Sequence, residues 1–245
     1  MDLRSQNAGL PRDYFWNRSK LNLIEVLFGK IKTINLRREG KKILIVGAGT
    51  GDDLSVIRKY GKMYIIDVNP RAINNLSDQA CEEKKVCNAC DIEYPDNYFD
   101  IAVAFDALEH IENDNLAVKE INRVLRPGGT FLFTVPAVSK LYGSHDRYLK
   151  HYRRYDMKHI NKILFRMERK VIAYWMFLLF LPIVFKKIIN RKGSKIVYTP
   201  LPKSVNTILY LICKFETYLI KRGFCSPIGT TIYGIYEKTR TVKTT

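Results

Sequence analysis

The chain has few cysteines, no long apolar run and, over its second half, few acids. Its five cysteines, Cys81, Cys87, Cys90, Cys213 and Cys225, are an odd, scattered set. That excludes a disulfide framework and points to reduced thiols in the cytoplasm. Cys87-Asn88-Ala89-Cys90 has the spacing of half a zinc site, but no second pair and no nearby histidine completes it, so no metal is expected. The opening Met1-Asp2-Leu3-Arg4-Ser5-Gln6 lacks the apolar core of a secretory leader, which again leads to the expectation of a cytoplasmic protein. The longest uncharged stretch, Val171–Phe185, covers 15 residues. As a helix it would reach about 22 Å, short of a hydrocarbon core of roughly 30 Å, so a transmembrane segment is not expected. No repeat or low-complexity segment is visible.

Acids are scarce only in one place. Residues 1–135 carry 19 basic and 19 acidic side chains, whereas 136–245 carry 22 and 5, so the net charge of +17 lies wholly in the last 110 residues. Such an imbalance suits a surface that faces nucleic acid or anionic phospholipid, against the plainer reading of a solvated, lysine-rich exterior.

What is present is an apolar strand, a glycine-rich turn and a second apolar run that ends in an acid. Lys42-Ile43-Leu44-Ile45-Val46 reads as a strand buried on both faces, and Gly47-Ala48-Gly49-Thr50-Gly51 lets the backbone turn tightly after it. The next apolar run, Met63-Tyr64-Ile65-Ile66, ends in Asp67, where a carboxylate can accept hydrogen bonds from ribose hydroxyls. The dinucleotide fingerprint fails, because Asp52 stands where a third glycine belongs. Asp52 and Asp53 at a helix N-terminus would repel a pyrophosphate and tolerate a cationic ligand, which leaves a nicotinamide cofactor a minor alternative.

Downstream, strands alternate with helices, which predicts a parallel sheet covered on both faces. A helix is expected from Leu21 through Ile24, Leu27, Phe28, Ile31 and Ile34, and a helix starts at Asn69-Pro70. A third strand is expected over Val86–Cys90, ending in Asp91, and a fourth over Asp100–Phe105. Leu116–Leu125 reads as a helix stopped by a turn at Arg126-Pro127-Gly128-Gly129, Thr130–Val135 as a fifth strand. Asp156 is a candidate cap for a further helix, Asn206–Ile220 is a broadly apolar helix, and Thr231–Glu237 is the last strand.

In the glycine motif, in Phe105-Asp106-Ala107-Leu108-Glu109-His110-Ile111 and in Leu125-Arg126-Pro127-Gly128-Gly129, the chain resembles the class I S-adenosylmethionine-dependent methyltransferases over roughly residues 40–136. The resemblance implies an α/β, three-layer Rossmann-like fold with a mostly parallel seven-stranded sheet and an antiparallel strand near the C-terminus. It implies one domain over 1–245: an N-terminal helical extension (1–39), a cofactor-binding core (40–136), and a basic, apolar part (137–245) that completes the sheet and faces substrate or membrane. It divides the Val171–Phe185 run near Tyr174 into a strand and a helix. The cofactor implied is S-adenosylmethionine, held by Gly47, Ala48, Gly49 and Gly51, by Asp67 with Val68 at the ribose, by Asp91 with Ile92 at the adenine, and by Phe105.

His145-Asp146-Arg147-Tyr148-Leu149-Lys150-His151-Tyr152-Arg153-Arg154-Tyr155 follows the fifth strand and resembles a stretch found there in a subset of these enzymes. Arg147, Arg153 and Arg154, with His151 and Tyr155, are candidate substrate-binding residues, since guanidinium forks suit phosphate or carboxylate oxygens. His145 with Asp146 is the candidate general base, with His110 and His151 as alternatives. The basic flanks of Val171–Phe185 (Arg166, Arg169, Lys170, then Lys186, Lys187, Arg191, Lys192) suit a segment lying at a bilayer interface, and equally a core element. The leading expectation is a methyltransferase acting on an anionic, lipid-linked or membrane-proximal small molecule. A nucleic-acid methyltransferase and a non-catalytic cofactor-binding or scaffolding protein are the alternatives.

Overall fold

The computed structural model describes residues 13–31, 40–77, 81–189 and 201–240. Met1–Gln6, Ile34, Arg191 and Lys192 lie outside them, and of Lys186 and Lys187 only the backbone is described. In chain order the elements are α1 (Phe15–Lys30), β1 (Lys42–Val46), α2 (Leu54–Ile57), β2 (Lys62–Asp67), α3 (Pro70–Asn74), β3 (Glu83–Val86), β4 (Phe99–Phe105), α4 (Asp114–Val124) and β5 (Leu125–Pro136). They continue with α5 (Ser144–Tyr148), α6 (Met157–Ile163), β6 (Met167–Trp175), α7 (Phe180–Ile189), α8 (Lys203–Lys221) and β7 (Thr231–Lys238). The strands form one seven-stranded sheet in the order β3-β2-β1-β4-β5-β7-β6. The first five pair parallel, and β7 runs antiparallel between β5 and β6.

Strand alternation sends neighbouring side chains to opposite faces, and both faces are covered. Leu44, Val46, Ala102, Ala104, Phe131 and Phe133 meet Ile121 and Val124 of α4 and Ile160 of α6 on one side. Ile43, Ile45, Ile101, Val103 and Leu132 meet Leu23, Ile24 and Leu27 of α1 and Cys213 and Ile220 of α8 on the other. This is the three-layer α/β arrangement expected, and the unbroken apolar run of β1 is its reason.

Helix α1 begins at Phe15, so Phe15 and Trp16 belong to it together with the apolar residues expected from Leu21 on. Its contacts tie it to α8: Phe15 N donates to Asn206 Oδ1 at 2.8 Å, and the Arg18 guanidinium lies 3.7 Å from the Tyr210 ring centre. Asn69 caps α3 through the Arg71 N–H, and Asp156 caps α6 through the His159 N–H.

Two expectations fail. The third strand is Glu83–Val86, not Val86–Cys90. As an edge strand it needs no apolar pattern, and Cys87–Asp91 instead forms a turn in which Asn88 Oδ1 accepts from Cys90 N at 2.9 Å. The turn expected at Arg126–Gly129 is absorbed into β5, whose Leu125 already pairs with Phe99 before a register shift brings Ile101 opposite Thr130.

The apolar run Val171–Phe185 does divide near Tyr174, into the end of β6 and the start of α7. Buried Glu216 of α8 holds the connection, its Oε1 accepting from Leu178 N at 2.5 Å. Because β5 and β6 both oppose β7, β6 ends at the same carboxyl edge as β1, β2, β4 and β5, and α7 leaves from that edge.

Candidate functional site

At that edge a cavity of about 970 Å³ opens. One end is the glycine loop. Gly47 and Gly51 have φ of +84° and +75°, and an added Cβ would lie 2.8 Å from Ala107 Cβ and 2.6 Å from Leu76 Cδ2, respectively. Both the turn and the close approach therefore require glycine. Asp67 leaves the tip of β2 into the same space, where its Oδ1 accepts from Asn69 N at 2.8 Å and its Oδ2 from Gly49 N at 3.2 Å.

Of the candidate cofactor residues, Gly47, Gly49, Asp67, Val68 and Phe105 line the cavity, whereas Ala48 and Gly51 shape the loop without lining it. Asp91 and Ile92 do not line it either. With Cys87–Asp91 in a turn, Ile92 is buried in the core and Asn88, Ala89 and Cys90 present themselves instead. Residue 88 was legible only as part of a misplaced strand.

The acids after the glycine loop also differ from expectation. Neither Asp52 nor Asp53 lines the cavity. Asp52 accepts from Thr50 Oγ1 at 2.7 Å, and Asp53 is paired with Lys20 of α1 at 2.8 Å, so the Asp53 charge is spent on a cation within the protein. Lys20 also pairs with Asp106 at 3.0 Å. No local pattern announces Lys20, because both partners arrive from other elements.

The other end of the cavity is built by the segment after β4 and the loop after β5. His110, Tyr142, Arg147, His151 and Tyr152 line it. The imidazoles of His110 and His151 meet edge to face, 4.6 Å between centres. Tyr152 N donates to Glu109 O at 2.8 Å and Tyr142 OH to His151 O at 2.7 Å, which fix the loop against the segment.

The structure brings a different histidine, His151, against Asp146, the expected partner of His145. Asp146 is fully buried, and its Oδ1 stands 3.2 Å from Nδ1 of His151 while also accepting from Arg154 Nε at 2.7 Å. His145 does not line the cavity. Asp146 thus orients His151, five residues on, because α5 ends between them and the chain folds back.

Among the substrate candidates, Arg147 and His151 line the cavity, whereas Arg153, Arg154 and Tyr155 brace it. Arg154 also donates to Ala137 O at 3.0 Å, Arg153 pairs with Asp114 at 2.8 Å, and buried Tyr155 donates to Asp114 at 3.0 Å. Two of the three guanidinium forks are consumed by internal acceptors, which sequence alone does not reveal.

Glu109 lies behind the wall, 1% exposed. Burial, reinforced by Asp106, pushes its carboxyl well above the usual range. Its ligand oxygen and one nitrogen each of His110 and His151 all lie within 4.8 Å of one another, a grouping that could hold a metal ion. Sequence reasoning missed it because His151 is distant in the chain.

Residues 44–133 match the family model described as a methyltransferase domain. The ubiquinone/menaquinone biosynthesis C-methyltransferase UbiE of Neisseria meningitidis is 33% identical over 132 residues, 48% of this chain and 52% of the relative. The chain thus spans about half the length of the curated relatives it matches. Among solved structures, phosphoethanolamine N-methyltransferase 2 of Haemonchus contortus, in complex with phosphomonomethylethanolamine and S-adenosylhomocysteine, has a TM-score of 0.56. It is 17% identical and covers 87% of this chain and 52% of that one. The YcgJ protein of Bacillus subtilis has the same TM-score at 19% identity, covering 89% of this chain and 99% of that one. At these identities the likeness is one of fold.

Proposed function

Because the chain carries a class I S-adenosylmethionine-dependent methyltransferase domain, we propose that it transfers the methyl group of S-adenosylmethionine to a small-molecule acceptor held in the same cavity. The observation that carries this is the cavity's two-ended construction. The glycine loop and Asp67 suit a nucleoside at one end, and His110, Arg147 and His151 suit an acceptor at the other. The sulfonium supplies the reactive methyl. The protein's work is to align acceptor and methyl and to exclude water. Asp67 would accept from the ribose hydroxyls, and Arg147 would meet a negative charge on the acceptor.

The acceptor in this reading is lipid-linked or otherwise membrane-proximal, and the protein works in the cytoplasm at the inner face of the membrane. Support comes from the solvent-facing side of α7 and α8, where Leu181, Phe185, Ile208, Leu211 and Phe215 are each more than half exposed. Exposed Lys203, Lys214, Lys221 and Arg222 accompany them. An apolar face with cations around it suits the surface of an anionic bilayer. The curated relatives named for ubiquinone and menaquinone biosynthesis point the same way. Among the described residues no helix is long and apolar enough to cross a membrane, so contact would be peripheral.

Titration calorimetry with S-adenosylmethionine tests the cofactor end. Asp67→Ala, which removes an acceptor of charge-assisted hydrogen bonds, is expected to weaken binding about tenfold to a hundredfold with the fold intact by circular dichroism. Absence of binding to the unsubstituted protein would overturn the reading.

A further inference from the structure

We propose that Glu109, His110 and His151 form a binding site for a divalent transition-metal ion in the wall of the cavity. One ligand atom from each lies within 4.8 Å of the others. Ligands about 2.1 Å from a shared ion stand roughly 3–4 Å apart, so closing the set needs a shift of about 1 Å, within reach of side-chain rotation.

The carboxylate gives an independent sign of a missing partner. Glu109 Oε2 is buried and has no hydrogen-bond partner among the described residues. A buried polar oxygen left unsatisfied is costly, and a cation at this point would satisfy it. His151 is held ready to ligate as well, since Asp146 Oδ1 stands 3.2 Å from its Nδ1, and an Nδ1–H donated there puts the neutral ring's lone pair on Nε2. A carboxylate behind an imidazole is the usual second partner of a metal-bound histidine, fixing its tautomer and ring direction. The edge-to-face packing of the two imidazoles and the Tyr152 N to Glu109 O bond of 2.8 Å keep the three ligands in one place although His151 comes from a separate loop.

Two imidazoles and one carboxylate suit zinc, manganese or ferrous iron better than magnesium or calcium, which prefer oxygen throughout. Three protein ligands leave coordination positions open. His110 and His151 line the cavity, so those positions face the acceptor end. The ligand they would take is an anionic oxygen of the acceptor, a phenolate, enolate or carboxylate. That choice of ligand rests on the methyl-transfer reading; the metal site itself does not. Ligation also gives the two imidazoles a role other than taking a proton.

The test uses the whole chain, stripped with a chelator and titrated with Co²⁺ by visible absorption and with Zn²⁺ by calorimetry. The expected result is one equivalent bound, with a cobalt d–d spectrum of nitrogen and oxygen ligation. In His110→Gln and Glu109→Gln the affinity should fall at least about a hundredfold, as loss of a ligand demands. His110 is only partly buried, so that variant keeps the proposal testable if Glu109→Gln fails to fold. Absence of stoichiometric binding, a sulfur-to-cobalt charge-transfer band showing that cysteines hold the ion, or unchanged affinity in a folded His110→Gln would each overturn it. S-adenosylmethionine binding by the stripped protein is measured separately, so failure there would fall on the methyl-transfer reading alone.

Discussion

The Lys20 ammonium, with its side chain 5% exposed, sits between two carboxylates, 2.8 Å from Asp53 and 3.0 Å from Asp106. Burial alone would lower its pKa, but Asp106 and Asp53 outweigh that and raise it. Burial would likewise raise Asp106, but Lys20 outweighs it and the carboxyl is lowered. The pair joins α1 to the start of α2 and to the turn after β4, beside the cavity-lining Phe105 and Ala107. Lys20→Met would leave two acids without this counter-charge. Removing one partner of a buried ion pair costs about 3–5 kcal/mol, which for a chain of this size is a fall in Tm of about 6–20 °C. The pH dependence follows from the signs. The contribution of a raised lysine is present below its ordinary pKa and lost only as pH rises through the higher folded value. The contribution of a lowered Asp106 is present above the ordinary carboxylate range and lost as pH falls through the depressed value. The Tm gap between the two proteins should therefore be widest near neutral pH and shrink in strong acid, as thermal melts across pH would record. At this scale Asp67 and the glycines were legible, because a strand tip and a tight turn are local. Lys20, Asn88 and the Asp146–His151 pair were not, because each depends on where a distant segment lands.

Among the elements, β1, β4 and β7 could be read from apolar runs that burial on both faces demands, and α3 and α6 from their caps. Strand β3 could not, since an edge strand of sequence Glu83-Lys84-Lys85-Val86 carries no such run. Strand β7 shows how closely the sheet is fitted. Gly234 sits opposite Phe133 of β5, and a Cβ there would lie 2.4 Å from Cε1 and Cζ of that ring. The ring has little room to retreat, being fully buried and stacked on Phe131 at 5.4 Å. Alanine is the better strand former, yet Gly234→Ala should destabilise by about 1–3 kcal/mol through overpacking. Urea unfolding should show a lower midpoint with the slope unchanged. A midpoint at or above that of the unsubstituted protein would mean that Phe133 can move aside.

Across the whole molecule the charge is divided, with 22 basic and 5 acidic residues after residue 135 against 19 and 19 before it. The division matters because the apolar side chains of α7 and α8 lie in the basic part. α8 buries only Cys213, Glu216, Thr217 and Ile220, leaving Ile208, Leu211 and Phe215 outward, so its broad apolar surface serves two purposes. The sequence showed that breadth but not its division, which depends on α1 covering one flank. If this face meets an anionic bilayer, Lys203, Lys214, Lys221 and Arg222 would each contribute about 1 kcal/mol near the surface, a term screened over about 10 Å at 0.1 M salt. Apolar insertion by Leu211 and Phe215 would be far less sensitive to salt. Co-sedimentation should thus show binding to vesicles containing phosphatidylglycerol and little to phosphatidylcholine alone. Affinity should fall at least about tenfold in 0.5 M sodium chloride. The Leu211→Glu, Phe215→Glu double variant should lose binding at low salt without loss of thermal stability, since both side chains are exposed. Retained binding in that variant would show that charge alone holds the protein to the surface. Steeply salt-dependent binding to RNA or DNA without vesicle binding would instead assign the basic half to a nucleic-acid acceptor.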